Sequence, residues 1–317
     1  MSEAGAPIAR QPTPVSPETL DAILDRHGLQ GLPVVPLTTL SAGNRVYLLG
    51  DDLVLRVPHE TAHSGPALET ARIAITAARA VGVRTPQMLV CDTTRELVPV
   101  PYAILERVPG GPLSQQGVEP GDVPHVWREL GHDLALLHNG VSKEGPAGKL
   151  ESNDVQVDPR PWLEELAGDG LVSPVEAGWL RRWLDELQPL VSTGEPLAFC
   201  HGDVNADNVM VRPTTFDYLA VVDWDGAGWS DPAWDFVPLP LRAVPFILPA
   251  YREVAPVPGD TTAEARILWH HIQYTLFIWW THRHQGRGIV DRALQRLRPG
   301  IRDLLEMPGA RWLAHLA

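Results

Sequence analysis

The stretch His201-Gly202-Asp203-Val204-Asn205-Ala206-Asp207-Asn208 constrains this chain more than any other. It sets an aspartate and an asparagine five residues apart on what reads as one rigid loop. Two apolar runs follow, Val209 to Arg212 and Tyr218 to Val222, with a turn from Pro213 to Asp217 between them. That pattern predicts a hairpin. The hairpin delivers a second acidic triplet, Asp223-Trp224-Asp225, beside the loop. Side chains so placed can aim one group at a substrate and another at a metal ion. Phosphoryl transfer needs that division: a carboxylate to accept a hydroxyl proton, and an amide and a second carboxylate to hold magnesium over phosphates.

These motifs resemble those of the aminoglycoside phosphotransferase family, the small-molecule kinases built on a protein-kinase-like scaffold. The family's H-G-D-x-x-x-x-N loop and its later Asp-Trp-x triplet are both present. So is its Asp-Pro-x-x-Asp, as Asp231-Pro232-Ala233-Trp234-Asp235. Recognisable motifs run from about residue 41 to 240; beyond that the resemblance rests on helical character. It implies an α+β, bilobal, protein-kinase-like fold, with a small N-terminal β-rich lobe and a larger, mostly helical C-terminal lobe.

The order of elements gives the same plan independently. Ser16 and Pro17 open a helix to residue 28, with serine as N-cap and proline at the first position. Arg45 to Leu49 and Leu53 to Val57 read as strands joined at Gly50-Asp51-Asp52. Ala67 to Val81 is helical, and Tyr102 to Glu106 is a short strand. Pro109-Gly110-Gly111-Pro112 breaks the chain and reads as a hinge. A helix from Asp122 to His138 carries Val126, Leu130, Leu134 and Leu137 on one face. Residues 140–172 read as irregular, and Ser173-Pro174-Val175-Glu176 is a capping box opening a helix to about Gln188. Thr262 to Gln285 reads as a long helix and Ile289 to Met307 as one or two more. The expected organisation is a mobile tail over 1–16, a nucleotide-binding lobe over 17–106 and a catalytic and substrate-binding lobe over 107–317.

The resemblance assigns roles. Asp203 is the expected catalytic base, and Asn208 and Asp223 the expected magnesium ligands. His201 braces the loop, and Asp231 and Asp235 brace the loop and the helix after it. Arg56 stands where protein kinases place a strand lysine, with Glu69 as its partner on the next helix; the guanidinium fork suits phosphate oxygens. Ser41, Gly43 and Asn44 belong to a phosphate-covering loop, while Glu106 and Val108 meet the purine through their main chain. The cofactors are therefore magnesium and ATP or GTP, the nucleotide lying between the lobes. The acceptor is a hydroxyl of a small molecule, with an antibiotic, and an aminoglycoside first, as the leading reading. Choline, homoserine or a sugar, or a macrolide or nucleoside antibiotic, are the alternatives.

Charge and composition exclude other classes. A net charge of −13 argues against binding a nucleic-acid backbone. No apolar run reaches the roughly 18 residues of a membrane span, and two cysteines form no disulfide framework, so a cytoplasmic protein is expected. Residues 107–200 hold 15 acids against 7 bases, which suits either a cationic acceptor or an ordinary solvated surface. The run Trp269 to His284 is rich in aromatics and histidines, as an acceptor pocket or a buried core helix would be. None of its four histidines lies four residues from another, so a helical zinc pair is excluded. A non-catalytic nucleotide-binding module would lack the base or a metal ligand, and all three are present. A hydrolase using His201 and Asp203 would instead carry zinc or iron.

Overall fold

The computed structural model describes residues 15–37, 44–58, 64–152, 157–191 and 197–284. The chain divides into two compact units: Met1–Glu69 with Gln87–Arg107, and Thr70–Pro86 with Val108–Ala317. Residues 1–14 of the tail expected over 1–16, and the helices expected over Ile289–Met307, lie outside the described residues.

The first unit is built on five antiparallel strands: β1 (Val34–Leu37), β2 (Asn44–Leu49), β3 (Leu53–Pro58), β4 (Met88–Asp92) and β5 (Tyr102–Glu106). Their spatial order is β1-β2-β3-β5-β4. Alternation decides which face is core. Leu55 and Val57 of β3 are buried while Arg56 between them points to the other face. Helix α1 (Pro17–Arg26) begins as the sequence predicts, the Thr19 backbone N–H donating to the Ser16 hydroxyl at 3.2 Å. It buries Ile23 and Leu24 with Tyr47, Leu49, Tyr102 and Ile104. Helix α2 (Ser64–Ala80) starts in this unit and ends in the second.

The second unit packs helices around two small sheets. Helix α3 (Pro124–Gly140) lies so close to α6 (Val244–Val254) that a Cβ on Gly131 would come within 2.4 Å of the Ile247 carbonyl oxygen. Helices α4 (Arg160–Gly168), α5 (Pro174–Leu187) and α7 (Ala263–Thr281) share the same core through Leu163, Leu166, Leu184, Ile272 and Leu276. The capping box at Ser173 and Glu176 forms as expected. Strand β6 (Gly111–Pro112) joins the hairpin of β8 (Val209–Val211) and β9 (Tyr218–Val221), and β7 (Ala198–Cys200) pairs with β10 (Gly228–Ser230).

The differences from the sequence reading have local causes. Helix α4 falls in the segment read as irregular. Pro161 in its first turn is tolerated because that N–H has no intrahelical partner, and Leu163 and Leu166 fall on one buried face. Half of the Pro-Gly-Gly-Pro break is β6, where Gly111 pairs with Val211. The turn after α2 belongs to the second unit because Arg84 is tied to Asp133 and Glu129 on α3. No helix among the described residues is long and apolar enough to cross a membrane.

Candidate active site

Strand β7 ends at Cys200, opposite Gly228, and hands the chain to His201. The turn that follows is fixed by one carboxylate. Asp235 accepts the His201 backbone N–H on Oδ2 and the Gly202 N–H on Oδ1, both at 2.8 Å. Gly202 has φ +85°, and a Cβ there would stand 2.1 Å from the Gly226 carbonyl oxygen, so only glycine fits. Asp235 sits in a short helical turn, Pro232–Phe236, capped where Ala233 N–H donates to Asp231 Oδ1 at 2.8 Å. From α3, His138 donates Nε2–H to Asp235 Oδ2 at 3.0 Å. Burial by itself raises the Asp235 carboxyl. The hydrogen bond and charge of His138, with the Gly202 amide, outweigh it and hold the group below the usual range.

Three side chains converge on this loop. Asn208 donates Nδ2–H to the Asp203 carbonyl oxygen at 2.8 Å and to its carboxylate at 3.1 Å. Asn205 donates to the other carboxylate oxygen at 3.0 Å. Asp203 is open to solvent, yet protein atoms crowd it and push its carboxyl above the usual range, helped by the charge of Asp223. The hairpin brings Asp223 in beside Asn208, since Val222 N–H donates to the Asn208 carbonyl at 2.9 Å. Asp223 adopts φ +69°. That left-handed residue interrupts the extended run, so strand alternation does not put Asp225 on the same side as Asp223. His201 is buried and its pKa is lowered by burial. Its tautomer follows from its partners: Nε2–H donates to the Val222 carbonyl at 3.1 Å, and Nδ1 receives the Asp203 N–H at 3.3 Å.

Several participants carry no sequence signal of their own. His138 is the last buried residue of an apolar helix face, and its Nδ1 meets the Tyr251 hydroxyl at 3.2 Å. Arg266 of α7 is fully buried and pairs with Asp231, which also meets His270 Nε2 at 3.2 Å. His138, Cys200 and Asp235 lie close enough to suggest a metal cluster. Their chemistry argues otherwise. Both Asp235 oxygens already accept N–H groups, and burial raises the Cys200 thiol well away from a thiolate.

The remaining expected residues are placed as follows. Asn44 opens β2 opposite Pro58, while Ser41 and Gly43 lie outside the described residues. Arg56 on β3 is half-buried and faces Val46 and Ala103 across the sheet; Glu69 is on the first part of α2. Glu106 closes β5, with its backbone N–H donating to Gln87 and its carboxylate accepting from the Gln87 N–H. The Val108 carbonyl accepts from Gly110 N–H at 2.8 Å. On α7, Trp269, His270, His271, Ile272, Gln273, Leu276 and Trp279 are buried, so most of that helix is core. Five acids of the acidic middle segment are ion-paired: Glu164 with Arg181, Glu165 and Asp169 with Arg283, and Asp158 and Asp185 with Arg160. These acids are tied up locally, which weakens the case that their charge is arranged for a cationic acceptor.

Comparison with known proteins supplies independent findings. Residues 37–254 match the family model described as "Phosphotransferase enzyme family". Viomycin phosphotransferase of Streptomyces vinaceus is 30% identical over 162 residues, covering 49% of this chain and 55% of that protein. The chain thus spans about half the length of this curated relative. Among solved structures, the GDP complex of aminoglycoside 2'-phosphotransferase-IIIa superposes with a TM-score of 0.65 at 17% identity, covering 88% of this chain and 95% of that one. A choline/ethanolamine kinase family protein from Mesorhizobium loti gives 0.61 at 20% identity, covering 94% and 96%. At such identities these structures establish the fold.

Proposed function

The chain belongs to the phosphotransferase enzyme family, and from that membership we propose that it is a small-molecule kinase. It moves the terminal phosphoryl group of ATP or GTP to a hydroxyl of an antibiotic in the cytoplasm. The observation that carries the reading is the Asn208 amide bridging the main chain and carboxylate of Asp203, with Asp223 beside it.

Asp203 orients the acceptor hydroxyl and takes its proton as the new oxygen–phosphorus bond forms and the bond to the nucleoside diphosphate breaks. The crowding that raises its pKa makes it a stronger base. Asn208 and Asp223 offer hard oxygen donors of the kind magnesium accepts, and would hold it there. The donor set fits, because an Asn208 amide nitrogen committed to Asp203 leaves Oδ1 turned the other way. Magnesium, when bound there, neutralises charge on the phosphates. In the first unit, we assign Arg56, supported by Glu69, and the Ser41, Gly43 and Asn44 segment to phosphate oxygens. Main-chain atoms of Glu106 and Val108 are assigned to the base.

The name of the curated relative makes viomycin the first acceptor to try, beside aminoglycosides. The deciding experiment incubates the protein with magnesium and ATP or GTP. Viomycin, an aminoglycoside, a macrolide and choline serve as acceptors, each read by mass spectrometry for one added phosphate. A phosphorylated antibiotic supports the proposal. Nucleotide binding with no magnesium-dependent turnover would instead identify a non-catalytic nucleotide-binding module.

A further inference from the structure

The turn after α2 reaches the candidate metal site through one hydrogen bond. The Trp224 indole Nε1–H donates to the Thr85 hydroxyl oxygen at 2.8 Å, and both side chains are buried. Trp224 follows Asp223, whose left-handed φ is strained for a residue with a Cβ and persists only where the surroundings hold it. The indole also lies against the His201 ring, with centroids 4.4 Å apart. One side chain is therefore gripped on its face by the catalytic loop and at its edge by Thr85.

Thr85 is itself anchored. The Val221 N–H donates to the Arg84 carbonyl at 3.0 Å, which ties the turn to β9. Arg84 donates its backbone N–H to Asp133 Oδ2 at 3.1 Å and its Nη2 to Asp133 Oδ1 at 2.9 Å. Tyr218 donates its hydroxyl to Asp133 at 2.9 Å, and its ring lies 4.4 Å from the guanidinium carbon. Arg79 donates to the Thr85 carbonyl at 2.7 Å. The hydroxyl is thus a fixed point, and the indole that depends on it is one residue from a candidate metal ligand.

We propose that Thr85 is a positioning residue for Asp223, acting through the Trp224 indole. The proposal rests on the reading of Asp223 as a metal ligand. Removing the hydroxyl leaves a buried indole N–H without its acceptor. Trp224 then shifts to find another, and the backbone at Asp223 relaxes from its left-handed conformation. Outer partners of this kind set metal affinity without touching the metal.

The test measures Mn²⁺ affinity by electron paramagnetic resonance in the presence of ADP, together with the indole N–H resonance of Trp224, identified by its loss in Trp224→Phe. Thr85→Val keeps the shape and removes the acceptor. It is expected to weaken Mn²⁺ binding about tenfold and to move the indole resonance upfield. Thr85→Ser is expected to restore both. Should Thr85→Val not fold, Trp224→Phe deletes the same bond from the other side, with the same expected loss of affinity. Mn²⁺ affinity unchanged in both variants, or a loss that Thr85→Ser fails to rescue, overturns the proposal. Asp223→Asn separates the two levels. If it weakens Mn²⁺ binding and Thr85→Val does not, the positioning role fails alone. If Asp223→Asn has no effect, the metal reading fails and this inference goes with it.

Discussion

Asn208 reaches back along its own loop to Asp203, with Nδ2 2.8 Å from the Asp203 carbonyl oxygen and 3.1 Å from its carboxylate. An amide is planar, so turning its nitrogen toward Asp203 turns its oxygen away. The place of the proposed base and the aim of the proposed cation ligand are therefore a single geometric variable. A change at Asn208 disturbs both, whereas a side-chain change at Asp203 keeps the shorter bond from the amide to the Asp203 carbonyl, which still aims Asn208, and falls mainly on proton transfer.

That asymmetry predicts two kinetic signatures. Asp203→Asn should lower kcat by about 10²- to 10⁴-fold while leaving the magnesium requirement and nucleotide KM close to wild type. Asn208→Ala should lower kcat and also raise the magnesium concentration giving half-maximal rate, by about 10- to 100-fold. Steady-state rates over a magnesium series distinguish them. A raised magnesium requirement in Asp203→Asn would contradict this division of labour.

A second prediction concerns pH. Crowding raises the Asp203 carboxyl, and the hydrogen bond from Asn205 opposes that rise. Asn205→Ala removes the opposing influence, so the carboxyl protonates at higher pH. The base acts deprotonated, and the acid limb of the kcat profile should move toward neutrality with the alkaline plateau preserved. A profile superimposable on wild type would show that Asn205 does not tune this group.

The parts of the site legible in the sequence are those whose chemistry is contiguous. His201 to Asn208 is one loop, and a hairpin of ordinary turn chemistry delivers Asp223. The Ser173 capping box was legible for the same reason, because its two partners are three residues apart. The supports were not. His138 lies 97 residues from Asp235 and Thr85 lies 139 from Trp224. A histidine ending an apolar helix face looks like any other, and a threonine in a turn looks like a cap. Only the tertiary fold gives them partners. Helix α4 was hidden because prolines flank its start, and β1 because four residues make too short a pattern.

The backbone of the loop gives a stability prediction with an internal control. Gly202 and Gly170 both have positive φ, +85° and +71°. A Cβ on Gly170 meets nothing within 4 Å, so Gly170→Ala should cost only the conformational term of about 1 kcal/mol. At Gly202 the Cβ meets a backbone carbonyl that cannot rotate away. Gly202→Ala should therefore cost more than about 3 kcal/mol and abolish activity with it. Urea unfolding of the two variants side by side checks this, and equal losses would show that the loop yields where it is drawn as rigid.

The Asp235 carboxylate should make the fold acid-sensitive. It is fully buried and accepts N–H groups from His201, Gly202 and His138. Burial raises its pKa, and the His138 interaction and the Gly202 amide overcome that, so the folded value lies below the unfolded one. A carboxyl with a depressed folded pKa contributes stability that is fully present above its unfolded pKa of about 3.9. That contribution is lost as pH falls through the folded value. Asp231 is depressed in the same sense: burial raises it, and His270 and Arg266 outweigh burial. Unfolding free energy should thus decline gradually below about pH 6.5, where the unfolded chain protonates His201 and His271 that burial keeps neutral in the fold, and fall more steeply below about pH 4 as the carboxyls join. In Asp235→Asn, the amide NH₂ confronts backbone N–H groups that need an acceptor and leaves His138 without its carboxylate. Losing one partner of a buried pair costs about 3–5 kcal/mol. The variant should start from that lower stability at neutral pH and show a shallower fall in acid, with the residual slope belonging to Asp231 and to the buried His201 and His271. Urea titrations at successive pH values measure both quantities, and an undiminished acid slope in Asp235→Asn would place the acid-sensitive group elsewhere.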